Sequence, residues 1–432
     1  MDRRHGRGDW LPACALALGV LILTWPVVLF GPFPADAYGS KAIWAAFDQN
    51  GFHLPAIRRQ AEIWPRIIDE GSLSTPPGYH FVLAGVMKYS GAGETALRLV
   101  SSVFGALLLV ISWRFVAARV GPWAGAACVT PLLMSPYLLA GSIWLTTDNA
   151  AWCCVALALS GAAGRARSTR AAAGAGVSAA LAVLVRQMHV WLVVPLGVAA
   201  LSDSRGESAR SVSARLAPLV LPLAALGGLI WFWGGLVPQR FAEEHVRGVH
   251  PDTVPFSLAL VGFFGVFFWG AFGPPREPPA RVWHLRVALA VVTVIWLAVP
   301  TSYDVEAGRS GGVVWELARL APVVASRSVA ILVLALCGAI TLVRAWGGAV
   351  RAGCATEARV LLAALAALVA AQSVVSPLWP RYFEMFILMT LAWLAALARR
   401  SEPAGPWIAG PLLLGCGQLA LSVFTIYLRL LR

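Results

Sequence analysis

The sequence predicts an all-α protein, a polytopic transmembrane bundle of about thirteen helices by the usual length rule. Three observations predict it. Of 432 residues, 59% are hydrophobic and 13% charged, about half the roughly 25% charged share of a soluble domain. Apolar runs recur along the chain, several reaching the roughly 18–20 residues that cross a bilayer. Arginines cluster in the short loops between those runs, the placement that holds loops at a cytoplasmic leaflet.

That placement also explains the net charge of +13 as topology, and nucleic acid is not an expected partner. The seven cysteines (Cys14, Cys128, Cys153, Cys154, Cys337, Cys354, Cys416) lie in or beside apolar runs without CxxC spacing. They read as small buried hydrophobes, with no disulfide framework.

The basic start Arg3-Arg4-His5-Gly6-Arg7 precedes an apolar run over Leu11–Phe30. At 20 residues the run exceeds the roughly 7–15 of a cleaved signal, so a retained first span with its basic end inside is expected. It delivers the polar stretch 47–79, which carries the amphipathic piece AEIWPRIIDEG, to the outer face. The next run, 79–90, is short for a crossing and reads as re-entrant or tilted. Were it to cross, most later arginine clusters would fall on the wrong side.

Spans follow near 96–117, 123–143, 149–163, 171–185, 188–202, 216–236, 256–274, 284–300, 327–344, 358–376, 384–398 and 407–427. Basic loops around Arg165–Arg170, 202–215, Arg276–Arg286, Arg344–Arg359 and Arg399-Arg400 then lie inside. The C-terminal pair Arg429 and Arg432 falls outside, against the pattern. The expected organisation is one membrane domain over 1–432. Within it are a first outer loop at 31–78, a core at 79–202 and a more variable part at 203–432.

Acidic residues and histidines gather on the outer face, at Asp148, around Arg186-Gln187, in 239–252, in 301–327 and in 377–384. An ionisable group at membrane depth is costly, which makes each a functional candidate.

Five islands occur in a telling order: FHLP at 52–55, STPPGY at 74–79, TTD at 146–148, LVRQMHVW at 184–191 and PRYFEMFIL at 380–388. Together they resemble the motifs of the dolichyl-phosphate-glucose α-1,2-glucosyltransferase family. More broadly the chain is similar to the GT-C glycosyltransferases, multi-span enzymes that use polyprenyl-phosphate sugars. Two departures stand out. Gln49 stands where that family has a second acid, with Asn50-Gly51 before Phe52-His53, and Met188-His189 replace Asn-Ile. The resemblance implies a GT-C bundle, a polyprenyl-phosphate-linked sugar donor, a glycan or lipid-linked acceptor and inversion at the anomeric carbon. Arginine-rich, lysine-poor usage suggests a bacterial cytoplasmic membrane, with the active site facing the periplasm or exterior.

Such chemistry needs a general base for the attacking hydroxyl and cationic or oriented donors for the departing phosphate. Asp48 is the expected base, with Asp36 and Asp69 as local rivals and a solvated or capping role as its alternative. Asp148 reads either as a binder of sugar or acceptor hydroxyls, or a second carboxylate near a metal, or as the cap of the helix it opens. Arg186 suits bidentate phosphate binding or a structural ion pair with a distant acid. Gln187 and His189 lie beside it, and His189 also fits a satisfied core histidine.

Arg381 and Tyr382 read as phosphate or headgroup contacts, or as interfacial anchors. His53 is expected to shape the loop by hydrogen bonding. The resemblance adds Thr75 and Tyr79 as substrate contacts. Glu243, Glu244, His245 and His250 match no standard metal spacing; no cofactor is expected, with a divalent metal left open.

Two other classes compete. A lipid-linked glycan transporter predicts paired broken helices in two halves, and no such symmetry is visible. A surface-polysaccharide ligase or polymerase predicts one large late outer loop, for which 301–327 is the only candidate.

Overall fold

Backbone polar groups inside a bilayer must bond internally, so apolar runs of this length fold as helices. The computed structural model describes residues 10–31, 44–67, 73–164, 168–202, 204, 206–241, 248–273, 279–374, 378–400, 402 and 404–430. Among the described residues, seven helices are long and apolar enough to cross a membrane: Leu11–Phe30, Glu94–Val120, Ala209–Trp233, Thr253–Phe272, Val329–Arg351, Ala355–Gln372 and Pro406–Tyr427. The chain is a polytopic helical membrane protein.

The expected span 123–143 is broken. Pro122–Leu133 and Pro136–Ile143 meet at 72°, where Pro136 lacks the donor that would continue a helix and Ser135 Oγ accepts from Tyr137 N at 3.3 Å. Counted as one span, the pair brings the total to eight. Shorter apolar helices occupy Thr169–Val185, Gln187–Leu201, Trp283–Ala298 and Glu384–Ala398. The count of thirteen is therefore not reached by length and composition, although a helix stands at every expected span. Among the described residues the only strands are Val323–Val324 and Arg327–Ser328, an antiparallel hairpin pairing Val323 with Ser328.

The chain divides into two compact units. The first comprises Met1–Phe115, Val129–Glu244 and Gly415–Arg432; the second comprises Val116–Cys128 and His245–Leu414. In the first unit, Trp44–Asp48, a π turn over Gln49–His53 and Leu54–Ile63 form an unbroken helical ribbon. Its buried positions His53, Ala56, Ile57 and Gln60 recur at helical spacing, while Arg58 and Arg59 stay exposed. That apolar face packs on Gly78–Ser90. Asp148–Gly164 packs along Thr169–Val185 as an antiparallel pair.

In the second unit, Thr253–Gly265 lies against Val329–Arg351. A Cβ on Gly262 would stand 1.9 Å from Leu334 O, and one on Gly338 2.1 Å from Leu258 O. Only glycine admits that approach, the small-residue contact by which membrane helices associate without a hydrophobic drive.

The far end of Thr253–Phe272 is closed by three arginines from other segments. Arg344 Nη2 donates to Gly273 O at 2.8 Å and Trp269 O at 3.3 Å. Arg351 Nη2 reaches Phe272 O at 2.9 Å. Arg399 donates from Nε to Ala271 O at 2.9 Å and from Nη2 to Gly270 O at 2.6 Å. These carbonyls are the last of a helix and lack intrahelical donors, and cations there also oppose the helix dipole. Arg399→Ala strands two of them, so we expect a loss of about 1–3 kcal/mol per stranded acceptor, read as a lower unfolding temperature in detergent. An unchanged transition would remove Arg399 from this role.

Candidate functional site

Asp48 ends the short helix Trp44–Asp48 and is half-buried, immediately before the π turn. The Asn50-Gly51 pair that distinguishes this segment from the resembled family lies inside that turn, which accommodates the altered spacing within a continuous helical ribbon. Gln49, 1% exposed, sits where the family has an acid and is fully used. Its Oε1 accepts from Leu145 N at 3.0 Å, and its Nε2 donates to Glu94 Oε1 at 2.7 Å and Asn50 Oδ1 at 3.2 Å. This side chain fastens the Asp48 segment to the turn that leads into Asp148.

That turn is held from two further sides. Arg98 Nε donates to Ile143 O at 2.7 Å, and Asn149 Nδ2 donates to Leu138 O at 3.0 Å and Ser142 Oγ at 2.8 Å. Asp148 then opens the helix Asp148–Gly164, where the helix dipole favours a carboxylate. Its Oδ1 pairs with Arg186 Nη1. The side chains are 6% and 17% exposed, a desolvated pair with an edge on the surface. The acid that the sequence leaves unnamed for Arg186 is therefore Asp148, 38 residues away.

Arg186 caps Thr169–Val185 in extended backbone. The next residue ties in the TPPG island: Gln187 Nε2 donates to Ser74 O at 2.9 Å. A Cβ on Gly78 would stand 2.6 Å from Leu184 O, so the glycine of TPPG sets how closely this loop approaches the arginine's helix. Gly78→Ala is expected to push the two apart at a cost of about 1–3 kcal/mol, the usual penalty for overpacking. Thermal unfolding is the check, and an unchanged midpoint removes Gly78 from that role.

Thr75 Oγ1 and His189 Nδ1 are buried without a hydrogen-bond partner among the described residues. Thr75 follows Ser74, whose carbonyl accepts from Gln187, and His189 N donates to Arg186 O at 3.0 Å. The His189 ring rests edge-on to Trp152, centroids 5.0 Å apart. Buried polar atoms without partners are rare in folded proteins, which marks both as candidates for substrate contact.

His53 is not solitary. Its Nδ1 shares a 2.9 Å hydrogen bond with His80 Nε2, and the rings stack at 5.1 Å. Burial and then the His53 ring push the His80 pKa well below the ordinary imidazole value. Tyr79 OH bonds Ser101 Oγ at 2.8 Å and is almost completely buried, so this phenol holds the TPPG helix to Glu94–Val120.

Arg381 and Tyr382 belong to the second unit. Arg381 lies over the rings of Trp379 and Tyr382, at 4.7 and 4.9 Å, and its Nη2 donates to Tyr382 OH at 2.9 Å. Asp36, Asp69, Glu243, Glu244 and His245 lie outside the described residues. Among the described residues, no three His, Cys, Asp or Glu side chains come together as a metal site requires.

Sequence reasoning passed over Arg98, Asn149 and His80, and took Gln49 only as a departure from the family's pattern. The signal was available: each is a polar residue in or beside an apolar run, where burial demands a partner.

The model of the dolichyl-phosphate-mannose-protein mannosyltransferase family matches residues 74–231, a stretch that includes Thr75, Tyr79, Asp148, Arg186, Gln187 and His189. No curated protein matches the chain. Among solved structures, ArnT from Cupriavidus metallidurans in the apo state is 16% identical with TM-score 0.40, covering 89% of this chain and 76% of that one. ArnT bound to undecaprenyl phosphate is 16% identical with TM-score 0.43, covering 91% and 77%. The archaeal oligosaccharyltransferase AglB from Archaeoglobus fulgidus, in complex with an inhibitory peptide and a dolichol-phosphate, is 13% identical with TM-score 0.45. It covers 98% of this chain, which spans 55% of AglB.

Proposed function

We propose that this chain is a GT-C-type membrane glycosyltransferase that moves a sugar from a polyprenyl-phosphate donor to a hydroxyl acceptor. One observation carries the reading. Hydrogen bonds and an ion pair draw four stretches distant in sequence, 48–49, 145–148, 186–187 and 74–78, into one polar constellation in the first unit. The Gln49 tie to Leu145 N links the Asp48 segment to the turn before the Asp148–Arg186 pair, and a carboxylate base beside a guanidinium suits attack by an alcohol on a phosphate-activated carbon. The family match over 74–231 supports the same class.

In the proposed step, Asp48 accepts the proton of the acceptor hydroxyl as its oxygen bonds to the anomeric carbon. The carbon–oxygen bond to phosphate breaks, its electron pair leaves with the polyprenyl phosphate, and the anomeric configuration inverts. Arg186, oriented by Asp148, steadies the charge growing on the phosphate, the kind of preorganised stabilisation that contributes most to such reactions. Thr75 and His189 fit contacts to the sugar or phosphate. The arginine distribution supports placing this constellation at the outer face of a bacterial cytoplasmic membrane.

Purified protein incubated with a panel of radiolabelled polyprenyl-phosphate hexoses and pentoses, with native membrane extract as acceptor source, tests the reading. Consumption of one donor with transfer to a glycan or lipid-linked product is expected. Turnover of none, under conditions where the protein remains folded, would overturn it.

A further inference from the structure

The connection between the helices Pro279–Ala298 and Val329–Arg351 carries an apolar surface that the proposed transfer does not use. Its own helix, Gly312–Leu320, has three stripes, each about a third of the way round at 3.6 residues per turn. Val314, Trp315 and Ala318 are buried. The Trp315 ring stacks on Phe256 at 4.6 Å, and its Nε1 donates to Leu378 O at 2.9 Å. Glu316 and Arg319 form an exposed ion pair at 2.8 Å. The remaining stripe is Val313, Leu317 and Leu320, spaced i, i+4 and i+7, with Leu320 75% exposed. A helix between protein and water needs one apolar stripe; this one has two.

The second stripe continues past the helix, where Val323 and Val324 are 50% and 59% exposed in the first strand of the hairpin. That hairpin is pinned to the ends of two helices. Thr301 N and Ser302 N donate to Ser326 O at 3.0 and 3.1 Å, and Val329 N donates to Pro322 O at 3.0 Å. Trp296 Nε1 donates to Ser328 O at 3.0 Å, and Arg327 Nε donates to Trp296 O at 3.1 Å. Val329–Arg351 is long and apolar enough to cross a membrane. Val333 near its start, and Val294 and Leu297 near the end of Pro279–Ala298, are again exposed apolar side chains. The start of Val329–Arg351 is the end opposite Arg344 and Arg351, which the positive-inside rule assigns to the outer face.

We propose that the segment 312–324 lies flat in the outer membrane–water interface. Val313, Leu317, Leu320, Val323 and Val324 enter the leaflet, and the Glu316–Arg319 pair faces water. An interfacial helix needs a lipid face beside a polar one, and Gly312–Leu320 adds a third face that holds it to the protein. Its partner is a lipid surface because the uncovered side chains are tied, through the hairpin, to two helix ends at the membrane boundary. Fastened in this way, the loop fixes how deep the second unit sits in the bilayer.

Full-length protein in liposomes, carrying one added cysteine at a time, tests this with a charged, membrane-impermeant maleimide. The signal of the native cysteines is subtracted. Glu306→Cys, exposed in the same loop, is the control, and any mixed orientation of the chain in the vesicles cancels against it. Leu320→Cys and Val324→Cys should react at least tenfold more slowly than Glu306→Cys, because lipid excludes the reagent and disfavours the reactive thiolate. Arg319→Cys should react about as fast as the control. All four side chains are exposed, so the packed core is untouched. Equal rates at the four positions overturn the proposal. Photolysis of p-benzoylphenylalanine placed at Leu320, in native membranes, should give lipid adducts. Crosslinks mainly to a second copy of the chain or to another protein overturn it as well, and make the stripe a protein interface.

Discussion

Asp48→Asn is expected to abolish sugar transfer, by roughly 10²–10⁴-fold, the usual worth of a general base, while the protein folds normally. The amide keeps the shape of the carboxylate and removes only its ability to take a proton. The neighbouring tie from Gln49 Oε1 to Leu145 N is untouched by the change, so the turn before Asp148 keeps its place. Single-turnover transfer from a polyprenyl-phosphate sugar is the measurement, with thermal unfolding as the control. Near-normal transfer would take the role of base away from Asp48. Loss of transfer together with a large fall in unfolding temperature would assign it a structural role.

The second large effect concerns Arg186 and Asp148. Removing one partner of a buried ion pair leaves an uncompensated charge and costs about 3–5 kcal/mol. Arg186→Ala and Asp148→Ala are each expected to lower the unfolding temperature markedly. The double variant Arg186→Gln with Asp148→Asn replaces the charges by amides that can bond to each other, and should recover most of that stability. Transfer should not recover with it. A lost charge-assisted contact to phosphate costs roughly 1.5–3 kcal/mol, so use of the donor by the double variant is expected to stay at least tenfold down. If activity returned with stability, Arg186 would be a structural partner of Asp148 and the phosphate would need another cation.

Much of the fold was legible because a bilayer makes apolar length and helix nearly synonymous. The stretch 149–163 is Asp148–Gly164 in the structure, and 384–398 is Glu384–Ala398. Where reading by length failed, a local cause is visible. The run 123–143 looks uniform in hydropathy, yet Ser135-Pro136 restarts the helix at 72° to its predecessor. The start of 188–202 is similarly apolar but winds as a 3₁₀ turn over Gln187–Leu192.

The site was legible as a set of islands and not as a geometry. Asp148 and Arg186 each stood out as a charge beside apolar runs, but their pairing depends on the antiparallel packing of Asp148–Gly164 on Thr169–Val185, which no local pattern encodes. Gln49 was read as a departure from the family's pattern. Two of its three hydrogen bonds reach residues 45 and 96 positions away, beyond what sequence spacing reveals. His80 went unnoticed inside an apolar run, and only the fold brings His53 to it.

The arginines that close the end of Thr253–Phe272 carry a consequence for how the chain is made. Synthesis proceeds from the N-terminus, and the donors for Gly270 and Ala271 reside on Arg399, up to 129 residues later. Until the ribosome has delivered that residue, those carbonyls rely on water or headgroups at the membrane surface. Maturation of this half of the molecule is therefore gated by its penultimate long helix, and nascent chains arrested before Arg399 should remain open to protease at the 270–273 corner.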